Sequence, residues 1–239
     1  MKRNLRIAAI SSIIILAAIL FMLSPIFHIR EVIVENAIFL SPDEVRMRLD
    51  LERGSSLILF NAAAARRRAM ENFYISDIQF RRDMPNRLYV SIEERRLTAY
   101  IEHLPGVFLF IDDYGRVLEV RNYVTEPLPM LEGLQITRFQ VGEILDVPDT
   151  VAFNVVVHYA QLLRQHGLID RVASMNVSDT SNIRILVNYL EFNVGGASGA
   201  DEKIRAVISI LENLPNADLV RGFVSMTQVG TYYFLEILR

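Results

Sequence analysis

From Ile7 to Phe27 the chain runs through 21 residues without one charged side chain, its polar groups limited to the hydroxyls of Ser11, Ser12 and Ser24. As a helix rising about 1.5 Å per residue the run reaches about 31 Å, against a bilayer core of about 30 Å. The spacing predicts a membrane span over residues 7–27, with residues 28–239 held on one side of it. Lys2, Arg3 and Arg6 precede the run with no acidic partner, whereas His28-Ile29-Arg30-Glu31 follows it nearly balanced. Basic residues flanking a span stay in the cytoplasm. The expected topology is therefore single-pass type II, with residues 1–6 as a cytoplasmic tail and 28–239 outside. A cleaved signal peptide also has a basic start and an apolar middle. This run is longer than the usual range of about 7–15 residues, and Met22-Leu23-Ser24-Pro25-Ile26-Phe27 lacks a small-x-small cleavage site, so an uncleaved anchor is expected.

Beyond the span, 212 residues are enough for one or two compact domains. They carry 22 basic against 28 acidic side chains, a net charge of −6. Nucleic-acid binding through phosphates needs a concentrated basic surface, which this balance argues against. With no Cys in the chain, disulfides, thiolate zinc sites and thiol nucleophiles are excluded.

From Arg30 the pattern is that of an α+β domain. Val32 and Val34 alternate with Ile33 and Glu35 as a short strand. Ser41-Pro42-Asp43-Glu44 opens a helix, with Ser41 as cap, Pro42 in the first helical position and Glu44 completing a capping box. Val45 and Leu49 mark its inner face, and Gly54 follows the unit. Asn61 can cap a second helix with Ala62, Ala65, Ala69 and Phe73 on one stripe. Ile78 and Phe80, then Leu88, Val90 and Ile92, read as two strands around the turn Asp83-Met84-Pro85-Asn86. The order is strand–helix–helix–strand–strand, and a domain over 28–96 is expected.

A second, strand-rich domain is expected over 97–239. Phe108–Ile111 and Arg116–Val120 flank Asp112-Asp113-Tyr114-Gly115 as a hairpin, with Gly115 free to take positive φ. Pro127, Pro129, Gly133 and Gly142 suggest an irregular connection. Ala152, Val155, Val156, Tyr159 and Leu162 keep helical spacing, with Gly167 placed as a C-terminal cap. Val172–Val177 and Ile183–Val194 read as strands. Ile204, Val207, Ile208, Leu211 and Leu214 form an amphipathic helix. Gly222–Met226 and Thr231–Leu238 read as the last strands.

In order and spacing these segments resemble the bacterial division family FtsQ, called DivIB in Gram-positive bacteria. Ile29-Arg30-Glu31-Val32-Ile33-Val34-Glu35-Asn36 is similar to the family's first strand, and Ser41–Val45 to its first helix. Phe73–Ile78 followed by Arg81–Leu88 resembles the signature pWV-x-x-a-x-V-x-R-x-x-P-x-x-L, and Val90–Arg95 its i-x-V-x-E-R ending. Ile111–Val117 resembles l-v-D-x-x-G-x-v, and Leu128–Gly133 resembles l-P-x-l-x-G. Three positions depart: Leu97 stands where Pro is usual, Trp is absent near Tyr74, and Gly222–Met226 replaces a strand that more usually contains Asp. The resemblance implies a fold of one span, a POTRA domain and a β-domain. It implies a non-catalytic divisome scaffold at the septum, with FtsL, FtsB/DivIC-type proteins and the septal wall synthase complex as partners.

Other chemistry has weaker support. His158 and His166 lie eight apart, about two helical turns, and do not make the i, i+4 pair that chelates one metal. No His-Glu-x-x-His and no Gly-x-Ser-x-Gly occurs, so no catalytic, cofactor or metal residues are expected. Gly195-Gly196-Ala197-Ser198-Gly199 fails the phosphate-loop spacing, and Asp201 and Glu202 would repel an anion there. Arg66-Arg67-Arg68 reads as a solvated helix face, with headgroup or cell-wall contact as the alternative.

The binding candidate is the terminal segment Thr231, Tyr232, Tyr233, Phe234, Leu235 and Glu236. An open strand edge with this composition would aggregate unless a partner pairs with it. The same run also suits a buried strand, and the family resemblance favours partner docking. A POTRA-bearing envelope assembly or transport protein, or an envelope enzyme, are the competing classes.

Overall fold

The first helix stops at a proline. The computed structural model describes residues 2–38, 40–49, 54–214, 220–228 and 231–236, with side chains from Ile10 onward except those of residues 18, 227, 228 and 231–236. Helix α1 (Lys2–Met22) takes in the basic residues ahead of the apolar run and ends five residues before that run does. Pro25 disfavours helical backbone in the residue before it. Ser24 is accordingly extended and caps a short 3-10 turn, Pro25–Phe27, through the Ile26 N–H. Phe27, assigned to the span by composition, is buried instead: its ring meets Phe21 edge-on at 5.2 Å and its carbonyl accepts from the Leu57 N–H at 2.7 Å.

Two compact units follow from the packing, Met1–Arg95 and Arg96–Arg239. The first is α+β. Strand β1 (Glu31–Glu35) leads to helix α2 (Pro42–Arg48), where Ser41 and Glu44 form the reciprocal capping box and leave Val45 and Leu49 buried. Such a cap contributes about 0.5–2 kcal/mol. Helix α3 (Ala62–Ala69) is capped by Asn61 and buries Ala65 and Ala69. Phe73 lies beyond the helix end and is 42% exposed, because the helix stops at its Met70 cap and the stripe stops with it. Strands β2 (Ile75–Asp83) and β3 (Arg87–Glu94) pair antiparallel, and β1 joins parallel to β3, giving the order β1-β3-β2. Leu88, Val90 and Ile92 face Val45, Leu49, Leu57 and the two alanines in one core.

Arg66, Arg67 and Arg68 are exposed, and two of them also tie the helix to its neighbours. Arg66 binds Asp77 at 2.7 Å, and Arg68 donates to the Leu49 carbonyl at 2.9 Å.

The second unit is built on a nine-stranded sheet. Strands β4 (Ala99–Leu104), β5 (Val107–Ile111) and β6 (Val117–Arg121) form an antiparallel meander, with Gly115 at φ 76° in the β5–β6 turn. Strand β7 (Met130–Glu132) is three residues long and lies between β4 and β8 (Val172–Asn176), parallel to both. The Pro- and Gly-marked connection thus contains the strand that joins the two halves of the sheet.

Helix α4 (Thr150–Gln165) connects β7 to β8, capped by Asp149, with Gly167 at φ 67° just past its end. The apolar stretch 183–194 is two strands, β9 (Ile183–Val187) and β10 (Leu190–Gly195), because Asn188 turns the chain at φ 53°. A two-residue hairpin loop needs such a residue, and Asn tolerates positive φ better than most side chains.

Helix α5 (Ala200–Asn213) then leads to β11 (Gly222–Gln228), parallel to β10, and β12 (Thr231–Glu236) closes the order β12-β11-β10-β9-β8-β7-β4-β5-β6. The predicted last strand ran to Leu238, and its final two residues lie outside the described part. Leu131, Met175, Ile185, Phe192 and Val224 lie in one register row and pack with Tyr159, Leu163, Ile204 and Val207 of the helices. The helices thus pack on one face of the sheet; the other, open face is half-buried or exposed over β9–β11 and buried at Phe110.

Candidate functional site

Strand β12 pairs with β11 through Gly222↔Glu236, Phe223↔Leu235, Val224↔Phe234, Ser225↔Tyr233 and Gln228↔Thr231. Among the described residues no strand lies on its other side. A terminal strand placed so presents a row of N–H and C=O groups along its outer edge, which an added strand satisfies. All six candidate residues, Thr231 to Glu236, therefore stand on a sheet edge.

The register divides them into two sets. Tracing pairs inward, Phe234 meets Val224, then Phe192, then Ile185, all three buried. Leu235 meets Phe223, then Glu191, then Leu186, and Tyr233 meets Ser225, Asn193 and Arg184. These inner positions lie on the open face and are half-buried or exposed.

Two residues that sequence reasoning passed over flank the same edge. Tyr189 precedes β10 and Arg221 precedes β11, and the guanidinium carbon of Arg221 lies 5.3 Å from the Tyr189 ring centre. Because β10 and β11 are parallel and Gly222 pairs with Glu236, both mark the end of the sheet at which β12 finishes. Tyr189 is 54% exposed. The available signal was the Asn-Tyr pair itself, a turn that holds an aromatic outside the core.

The open face is polar at its centre. Glu132, Ser174, Asn176, Arg184, Leu186 and Glu191 line a concavity of about 190 Å³. Its groups bond one another: Asn176 donates to Glu132 at 3.0 Å and Arg184 reaches Glu191 at 3.4 Å.

Toward β6, Phe110 is fully buried, with Tyr100 5.8 Å away between ring centres and Arg121 over its ring at 4.7 Å. Arg121 also binds Glu119 and Glu126, the latter through both carboxylate oxygens at 2.7 and 2.9 Å. The Arg121 hydrogen bonds, helped by the Thr125 hydroxyl, hold the Glu126 carboxyl down at about 2. This corner is a structural clamp.

Among the described residues, no group of three His, Asp or Glu side chains is placed to hold a metal ion. His166 spends its Nε2 on Asp201 at 2.8 Å, tying the end of α4 to the start of α5. Beneath the glycine-rich turn, the Gly196 carbonyl accepts from the Tyr159 hydroxyl at 3.1 Å and from Lys203 Nζ at 2.9 Å. That turn is held by the protein's own cation, as a strand-to-helix connection rather than an anion cradle.

Comparison with known proteins adds a second kind of observation. Residues 27–95 match the family described as POTRA domain, FtsQ-type, the stretch that folds as β1-α2-α3-β2-β3. The cell division protein DivIB of Clostridium tetani (strain Massachusetts / E88) is 25% identical over 188 residues, 78% of this chain and 71% of that protein. DivIB of Clostridium botulinum (strain Hall / ATCC 3502 / NCTC 13319 / Type A) is 22% identical over 211 residues, 88% of this chain and 82% of that protein. Residues 27–95 are a POTRA domain of the FtsQ type. These relatives are cell division proteins by name, and α1 is compatible with a membrane anchor. DivIB of Staphylococcus pseudintermedius (strain HKU10-03) is also similar, at 22% identity over 147 residues, 54% of this chain and 49% of that protein.

Proposed function

We propose that this chain is an FtsQ/DivIB protein, a non-catalytic, single-pass scaffold of the bacterial division machinery, with its N-terminus cytoplasmic and residues 28–239 outside the membrane. It stands at the septum and binds FtsL and FtsB/DivIC-type proteins, and through them the septal wall synthase complex. Residues 28–96 act as the membrane-proximal recruiting module. Residues 97–239 carry the docking edge at Thr231–Glu236. The observation that carries this reading is the place of β12 at the end of the sheet order.

The mechanism is strand addition backed by tethering. A partner segment pairing with β12 would gain main-chain hydrogen bonds along its length. A partner held in the same membrane meets this edge at a raised effective concentration, so each contact can be weak.

The test is crosslinking in dividing cells. A photoreactive residue at Tyr233 or Leu235 should capture an FtsB/DivIC-type protein, whereas one at Tyr123, exposed beyond β6, should not. Equal capture from both places, or none from β12, would refute the docking edge. Depletion in the native host should give long unseptated filaments, and normal septa would refute the division role.

A further inference from the structure

The first unit carries exposed apolar side chains at the end nearest the anchor, and its hydrogen bonding fixes how near. From α1 into the unit the bonding is nearly continuous: Leu23 N–H to Ile19 O, Ser24 to Phe21, Phe27 to Ser24 and His28 to Pro25, all at 3.0–3.2 Å. No slack linker separates helix from domain.

Two loops are tied to the chain just past that junction. Residues 55–57 run antiparallel to 27–29, through the His28↔Ser56 bridge, the Leu57 N–H to Phe27 O bond at 2.7 Å and the Ile29 N–H to Ser55 O bond at 2.8 Å. Going from Ser56 to Leu59 therefore moves in the direction in which the other chain runs back from His28 to Pro25. On the other flank, β1 pairs parallel with β3 through Glu31↔Arg87, and the Arg30 N–H binds Asn86 O at 2.9 Å. That brings the turn 84–86 level with residues 28–30.

The tips of these loops are apolar and open: Leu59 is 67% exposed, Met84 56%, and Ile26 between helix and strand 52%. Scattered exposed apolar residues need no explanation. These three lie together at one end, level with the last residues of α1, whose described side chains from Ile10 to Met22 are all exposed. Exposed Arg30, Arg82 and Arg87 stand on the same end of the sheet, and Arg82 ties the two loops by donating to Phe60 O at 2.7 Å. Arg87 is paired with Glu31 at 3.2 Å, and the apolar tips with Arg30 and Arg82 beside them suit the boundary between acyl chains and anionic headgroups.

We propose that the POTRA unit docks on the lipid surface through Leu59, Met84 and Ile26, so that the domain stands on the membrane in a fixed pose. The occupant is the outer leaflet in which the helix already ends. This rests on the reading of α1 as a span and adds a second, independent membrane contact.

The chain contains no Trp, so a single introduced Trp is a unique reporter. The full chain is reconstituted in vesicles of phosphatidylcholine and phosphatidylglycerol, with and without brominated acyl chains. Four variants are compared: Ile15→Trp in the helix, Leu59→Trp, Met84→Trp, and Ile38→Trp at the opposite end of β1. Leu59→Trp and Met84→Trp should emit at shorter wavelength than Ile38→Trp and lose emission to bromolipid, as Ile15→Trp does. Quenching at Ile15→Trp alone would overturn the docked pose and leave the span intact. No quenching at any position would overturn the span with it. A blue shift at Leu59→Trp without bromolipid quenching would put protein rather than lipid on these tips and also overturn it.

Discussion

The phenol of Tyr159 and the ammonium of Lys203 converge on a single acceptor, the carbonyl oxygen of Gly196, at 3.1 and 2.9 Å. One group comes from α4 and the other from α5, so the turn between β10 and α5 is held from both helices. Both donors are buried, at 0% and 3% exposure. Burial pushes the Tyr159 phenol up to about 12 and pushes the Lys203 ammonium down.

The two shifts act on stability in opposite directions. Lys203 binds its proton more weakly in the folded chain, so stability rises with pH between its depressed folded value and 10.5, its ordinary value. Tyr159 keeps its proton in the fold, so its contribution is intact below 10.0 and is lost as pH climbs through about 12. Urea melts against pH should show Lys203→Met losing the alkaline rise, while Tyr159→Phe loses the decline above pH 10.0. At neutral pH Tyr159→Phe should cost about 1 kcal/mol, one hydrogen bond to an acceptor that keeps a second donor. Unchanged profiles in both variants would show that neither group carries the linkage.

Much of this arrangement was open to a reader of the chain because local signals carried it. Ser41 and Glu44 announce their capping box, and the helical spacing from Ala152 to Leu162 announces Tyr159 as a core residue. What stayed hidden depends on partners distant in sequence. Met130–Glu132 is too short to show alternation, and it is a strand only because Tyr100 and Ser174 lie on either side of it. Phe27 looks like membrane until Leu57 binds its carbonyl. Glu132 and Arg184 give no hint that they share an open face, since their register passes through Asn176 on the strand between them. For the docking edge, composition could propose Thr231–Glu236, but only pairing with β11 separates Phe234 from Tyr233.

The keystone role of β7 makes Gly133 a sensitive position. It sits at φ 85° immediately after the strand, where an added Cβ would lie 2.7 Å from Ser178 Cα and nearer still to the Ser178 backbone nitrogen. Backbone cannot swing aside as a flexible side chain can. Gly133→Ala should cost about 1–3 kcal/mol from the left-handed conformation alone, with the clash added to it. Gly106→Ala, also at positive φ but with nothing within 4 Å, should cost only the conformational part. Thermal melts of the two variants separate the terms, and equal shifts would remove the packing argument at β7.

Acid should act through the Arg121 clamp. The folded Glu126 carboxyl titrates at about 2 against an ordinary 4.5, so its contribution is present above 4.5 and is lost as pH falls through about 2. The side chain is 39% exposed, so solvent screens much of the gain. Glu126→Gln should therefore lower stability modestly at neutral pH and reduce acid sensitivity between pH 4.5 and 2. Identical acid limbs in the two proteins would show that the clamp contributes no measurable linkage.

The register of β12 allows fold and docking to be broken separately. Phe234 is paired with Val224 in the row that runs through Phe192 and Ile185, whereas Tyr233 is paired with Ser225 in the row of Asn193 and Arg184. Phe234→Asp should therefore destabilise the second unit, by about 3 kcal/mol or more if the position behaves as a core phenylalanine. Tyr233→Asp should stay within about 0.5 kcal/mol of the parent, as substitutions away from a core do. With stability intact, any loss of FtsB/DivIC-type partner in co-purification from Tyr233→Asp reports on binding alone. If the effects are reversed, with Tyr233→Asp melting early and Phe234→Asp unchanged, the pairing of β12 with β11 is shifted by one residue and the docking face is the opposite one.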